Sequence, residues 1–190
     1  MNLANKLTLM RVLLVPLFVV FMMVDAIPMN YLWALVVFAV ASITDLFDGK
    51  IARKYNMITD FGKFLDPLAD KILVTAALVC MVELKMTYAW IVVIILVREF
   101  AVSGVRLIAA GSEKKVVIAA GWLGKVKTAV TMVAIVAVLL MHIILGFGWI
   151  GEGFPVQLIS DILMIASAVL TLWSGVQYLW DYREFIDPTK

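Results

Sequence analysis

Residues 42–53 read Ser42-Ile43-Thr44-Asp45-Leu46-Phe47-Asp48-Gly49-Lys50-Ile51-Ala52-Arg53, and residues 62–71 read Gly62-Lys63-Phe64-Leu65-Asp66-Pro67-Leu68-Ala69-Asp70-Lys71. Both stretches sit inside long apolar runs, and both carry aspartates at helical spacing. Asp45, Asp48, Gly49 and Ala52 fall at i, i+3, i+4 and i+7, which is one face of a helix. Gly62, Asp66 and Asp70 are spaced by four and share a stripe in the same way. Pro67 is tolerable in the opening turns of that second helix, where a missing N–H matters least. The small pair Gly49 and Ala52 leaves a notch beside the carboxylates, and Arg53 adds a fixed cationic fork suited to phosphate oxygens.

Outward from these stretches the chain is apolar almost throughout. Hydrophobic residues make up 64% of the 190 and charged residues 16%, against roughly 45–50% and about 25% in soluble domains. Six apolar segments are expected, at about 7–25, 31–54, 62–83, 88–110, 122–146 and 157–184. Each is long enough as a helix to cross a hydrocarbon layer about 30 Å thick. The expectation is an all-α, polytopic bundle of six transmembrane helices forming a single membrane domain over residues 1–190. The first segment lacks a small-residue cleavage site after its apolar stretch, so it reads as a retained helix rather than a signal peptide, kinked at Pro16.

The cations orient this bundle. With six spans, fifteen of the sixteen Lys and Arg residues fall on one side and only Lys85 on the other. Both termini are therefore expected in the cytoplasm. Tyr31, Trp33, Tyr88, Trp90 and Trp149 then form an outer aromatic belt, with Trp122, Trp180 and Tyr182 on the inside. The single Cys80 excludes an internal disulfide and a cysteine metal cluster. His142 lies in an apolar run away from the acidic stretches and reads as structural.

One carboxylate at membrane depth costs about 2.5–3.5 kcal/mol near the bilayer centre. Four that converge would repel one another unless a cation sits among them. Oxygen ligands of this kind suit Mg²⁺ or Mn²⁺, which commonly bind a few carboxylates together with substrate phosphates. Solvated helix-end residues and structural ion pairs are the plainer alternative. A divalent-cation transporter would want its carboxylates near mid-membrane, whereas these gather toward the cytoplasmic helix ends. Aspartate-rich prenyl-diphosphate chemistry would leave the Gly49–Ala52–Arg53 notch unused.

The pattern Asp45-x2-Asp48-Gly49-x2-Ala52-Arg53-x8-Gly62-x3-Asp66-x3-Asp70 resembles that of the CDP-alcohol phosphotransferase family at every position. The resemblance implies that Asp45, Asp48 and Asp66 hold one or two divalent cations on the CDP pyrophosphate. It further implies that Asp70 is the general base, also in touch with the metal, and that Asp48, Gly49, Ala52, Arg53 and Gly62 line the CDP pocket. A membrane-embedded homodimer in the bacterial plasma membrane, its active site facing the cytoplasm, is implied as well. No nucleic-acid partner is expected.

Three further stretches narrow the resemblance: Asn5-Lys6-Leu7-Thr8-Leu9-Met10-Arg11, Arg98-Glu99-Phe100 with Arg106, and Gly124-Lys125-Val126-Lys127-Thr128. They are similar to the bacterial branch of the family that joins CDP-diacylglycerol to sn-glycerol 3-phosphate. An acceptor that already carries a phosphate needs a cationic pocket of its own. Arg98 and Arg106 are eight residues apart, about 80° around a helix, so both can reach one cavity. Lys125, Lys127 and Arg11 are candidates to complete it, although positive-inside anchoring competes as an account of each cation. Cardiolipin and phosphatidylserine synthases of the same family are the rival assignments.

Overall fold

Six apolar runs become six α-helices. The computed structural model describes residues 3–54, 60–111, 121–151 and 153–185. Its elements are α1 (Leu3–Met23), α2 (Asn30–Lys54), α3 (Asp60–Glu83), α4 (Ala89–Gly111), α5 (Trp122–Gly146) and α6 (Val156–Asp181), followed by a short 3-10 turn at Arg183–Phe185. There is no strand among the described residues. The bounds differ from the sequence expectation by a few residues. α1 begins earlier, at Leu3, and α6 stops at Asp181 before tightening into the 3-10 turn, a common way for a last turn to satisfy its carbonyls. With α3 starting at Asp60, Pro67 stands in its third turn, slightly deeper than a start near residue 62 would place it.

The helices run from 21 to 26 residues, about 32–39 Å at 1.5 Å per residue. Of the described helices, α5 and α6 are long and apolar enough to cross a membrane. Leu107, Val133, Trp173 and Val176 stand exposed on the outer faces of α4, α5 and α6. Large exposed apolar side chains of this kind suit lipid rather than water.

Contacts gather the chain into two compact units, residues 1–85 with 136–156, and residues 86–135 with 157–190. In the first unit α1 packs on both α2 and α3. Its buried row is Thr8, Arg11, Val15, Phe18 and Met22, in alternating steps of three and four residues, the spacing by which neighbouring helices interdigitate at a shallow angle. Phe18 meets Phe38 of α2 with ring centroids 5.9 Å apart, and Cys80 is buried as a small apolar filler. His142 bonds through Nδ1 with the carbonyl of Val138 at 2.9 Å and meets the Tyr31 ring edge-on at 6.2 Å, in keeping with a structural part. The segment after α5 turns at Gly148, whose φ of 69° is a conformation favouring glycine. There Trp149 N–H donates to the Ile144 carbonyl at 3.2 Å and closes the helix end.

In the second unit the same spacing recurs. The inward row of α4 is Ile91, Ile95, Arg98, Val102, Val105 and Ala109. That of α6 is Ser160, Met164, Ser167, Thr171, Ser174 and Tyr178. Small and hydroxylated residues on the α6 row allow close helix approach and hydrogen bonds between helices. Thr131 of α5 and Ser167 of α6 are bonded through their hydroxyls at 2.7 Å. Val102, Val105 and Ala109 close against Tyr178, with Leu179, Tyr182 and Phe185 around them.

Candidate active site

The acidic stretches occupy the end of α2 and the start of α3. The α2 turn leading to Asp45 is fixed by back-bonded hydroxyls, Ser42 Oγ to the Phe38 carbonyl and Thr44 Oγ1 to the Val40 carbonyl, each at 2.7 Å. Such bonds hold the side chain against its own helix. From Lys54 to Asp60 the chain can extend at most about 20 Å, so the end of α2 and the start of α3 are tethered closely.

Counting back from that connection gives a matched register. Asp48 is six residues before Lys54 and Asp66 six after Asp60, about 9 Å along each helix. Asp45 and Asp70 are nine and ten residues away, about 14–15 Å. The four positions therefore lie at two matched distances from the connection, on consecutive helices of one unit. Gly49, Ala52 and Arg53 follow on α2, and Gly62 precedes on α3. The side chains of Asp45, Asp48, Arg53, Asp66 and Asp70 lie outside the described residues, as do Lys114 and Lys115 altogether. As a donor set, four carboxylates are hard oxygen ligands and fit Mg²⁺ or Mn²⁺ rather than a soft metal.

In the second unit the cations expected to serve an acceptor separate into distinct places. Arg98 and Arg106 of α4 both line one cavity of about 350 Å³. Gly124, Ser174 and Tyr178 form its inner wall, and Trp122, Gln177, Asp181 and Tyr182 its outer parts. Arg98 is only 9% exposed. Its Nη1 stands 3.5 Å from Oε1 of Glu99, and its Nε is buried with no hydrogen-bond partner among the described residues. Glu99 gives this buried guanidinium a counter-charge, while the unused Nε donor carries a desolvation cost. Arg106 donates from Nε to Tyr178 Oη at 3.3 Å, with its guanidinium carbon 5.6 Å from the centre of that ring.

Lys127 does not line this cavity; it is buried and ion-paired with Glu99. Lys125 is exposed, two residues and therefore about 200° away around α5. Arg11 belongs to the buried row of α1 in the first unit.

Sequence reasoning missed Gly175 and Tyr178. A Cβ built on Gly175 would stand 2.7 Å from Cγ of Arg98, closer than such atoms approach. The one available signal was the Ser174-Gly175-x2-Tyr178 interruption of an otherwise apolar helix. Trp122 and Tyr182, expected only as interfacial aromatics, also line the cavity.

Comparison with known proteins gives a consistent result. The family model described as CDP-alcohol phosphatidyltransferase matches residues 1–173. The chain is 40% identical over 192 residues to a Bacillus subtilis (strain 168) protein, with 93% of each chain covered. It is 39% identical over 184 residues to one from Escherichia coli (strain K12), covering 94% of this chain and 93% of that relative. Both relatives bear the name CDP-diacylglycerol–glycerol-3-phosphate 3-phosphatidyltransferase.

Proposed function

Because the chain belongs to the CDP-alcohol phosphatidyltransferase family, we propose that it transfers the phosphatidyl group of CDP-diacylglycerol to sn-glycerol 3-phosphate, giving phosphatidylglycerol phosphate and CMP. The observation that carries the choice of acceptor is the cavity of the second unit. Two arginines line it, and one of them keeps a buried donor unused. A phosphorylated acceptor supplies an anion whose oxygens two guanidinium forks match geometrically.

In this reading Asp70 accepts the proton of the C1 hydroxyl of glycerol 3-phosphate. The freed oxygen bonds to the lipid-linked phosphorus as the bond from that phosphorus to the CMP oxygen breaks. Asp45, Asp48 and Asp66, with Asp70, are the residues that would hold one or two Mg²⁺ or Mn²⁺ ions, which when bound neutralise pyrophosphate charge and stabilise the leaving CMP. Asp48, Gly49, Ala52, Arg53 and Gly62 cradle the CDP group, the small residues giving room and Arg53 a phosphate contact. Arg98 and Arg106 take the acceptor phosphate directly. Lys127 acts through its pair with Glu99, while Lys125 adds positive charge near the start of α5. The enzyme works as a six-span homodimer in the bacterial plasma membrane, with both termini and the acidic helix ends in the cytoplasm, where glycerol 3-phosphate and CDP-lipid headgroups are met together. The one-sided distribution of Lys and Arg supports that orientation.

The test is release of CMP by the purified protein from CDP-diacylglycerol, offered glycerol 3-phosphate, phosphatidylglycerol or serine in turn. Glycerol 3-phosphate alone is expected to support release. Release with another acceptor and none with glycerol 3-phosphate overturns the assignment.

A further inference from the structure

We propose that Gly175 and Tyr178 of α6 are positioning residues that fix the two cavity arginines relative to one another and so set the enzyme's affinity for its phosphorylated acceptor. This rests on the acceptor assignment above and deepens it. The relevant contacts lie within the second unit.

Gly175 acts by what it lacks. The point its Cβ would occupy is 2.7 Å from Arg98 Cγ, 3.7 Å from Cβ and 3.8 Å from Nε. Cγ is only the second carbon of the side chain, so it cannot swing aside without carrying the guanidinium with it. At the far end, a Cβ on Gly124 would stand 3.7 Å from Arg98 Nη2, ordinary contact distance. Arg98 therefore lies along α6 at Gly175 and ends against α5 at Gly124.

Tyr178 is three residues further along, on the same face of α6. It is 8% exposed, and its hydroxyl accepts the Arg106 Nε–H at 3.3 Å. Its ring adds a cation–π contact to the same guanidinium, at 5.6 Å. The ring is itself braced by Tyr182, with centroids 4.7 Å apart, and by Val102, Val105 and Ala109 of α4. The Nε contact uses one of the five donors of Arg106, and the two terminal amines are a pair of the kind a phosphate engages. One helix thus holds both cationic forks before any ligand arrives, which removes part of the ordering cost of binding.

The test is a set of steady-state measurements of CMP release on Tyr178→Phe, Gly175→Ala, Arg98→Gln and Arg106→Gln. The apparent KM is read separately for glycerol 3-phosphate and for CDP-diacylglycerol. Tyr178→Phe keeps the ring and removes one oxygen, so it is informative even if Gly175→Ala does not fold. Both positioning variants are expected to raise KM for glycerol 3-phosphate roughly tenfold, with KM for CDP-diacylglycerol held within about twofold. If the arginine variants raise that KM and Tyr178→Phe does not, the positioning role is overturned and the acceptor pocket stands. An equal rise in both KM values marks a general packing role and also overturns it. If neither arginine variant moves KM for glycerol 3-phosphate, the cavity is not the acceptor's phosphate site and the positioning role fails with it, while glycerol 3-phosphate stands as the acceptor.

Discussion

Lys127 of α5 and Glu99 of α4 form an ion pair in the interior of the second unit. The same carboxylate oxygen stands 3.5 Å from Nη1 of Arg98. Lys127 and Arg98 are 6% and 9% exposed, so two buried cations draw on one carboxylate. Breaking a buried pair by removing one partner is strongly destabilising, whereas replacing the whole pair with apolar groups often is not.

Glu99→Gln is therefore expected to lower stability by about 1–3 kcal/mol, since it removes the carboxylate charge that both Lys127 and Arg98 face. The double substitution Glu99→Gln with Lys127→Met is expected to recover part of that loss, because Arg98 loses the same carboxylate in both variants. Unfolding of the detergent-solubilised protein, followed by tryptophan fluorescence, measures both. Equal loss in the single and double variants would show that the pair itself carries little of the effect.

Asp70→Asn removes the proposed base while keeping the size and shape of the side chain. Turnover is expected to fall by about 10²–10⁴, with CDP-diacylglycerol binding retained. Asp45→Asn and Asp66→Asn are expected to weaken response to added Mg²⁺ or Mn²⁺ instead, and EDTA to silence the parent enzyme reversibly. Equilibrium binding of a fluorescent CDP-lipid, run beside metal titrations of CMP release, separates the two behaviours. Retained turnover in Asp70→Asn removes it as the base.

The hydroxyl pair Thr131–Ser167 ties α5 to α6 at 2.7 Å, and Thr131 also bonds the Lys127 carbonyl at 2.9 Å. Ser167→Ala is expected to cost about 0.5–1.5 kcal/mol. Because Thr131 keeps its backbone acceptor, the coupling energy in a Thr131→Val and Ser167→Ala cycle should stay near the low end of that range. Additive losses would show that the contact between the helices contributes nothing.

The six helices were legible because each apolar run is bounded by turn residues, and the observed bounds depart from expectation by only a few positions. The aspartates at 45, 48, 66 and 70 were legible as spacing, since i, i+3 and i+4 relations survive any tertiary arrangement. Arg98 and Arg106 were legible for the same reason, and both line one cavity. The difference between Lys125 and Lys127 was not. α5 is apolar on nearly every side, so periodicity does not reveal which side meets protein and which meets lipid. Only its neighbours decide that Lys127 turns inward to Glu99 while Lys125 stays exposed. Gly175 was hidden for a related reason, because a close approach belongs to two helices at once.

The inward row of α4 has a consequence for how this enzyme can change. Arg98 occupies the same alternating three-and-four row as Ile95, Val102 and Val105, so the proposed binding group is at the same time a packing group. An exchange of acceptor cannot be reached by trading Arg98 alone, because the vacated volume lies against Gly175 in the helix contact. Compensation has to come from α6 in the same stroke. Such paired dependence makes acceptor choice slow to drift, and it predicts that descendants with a new acceptor differ at positions 98 and 175 together.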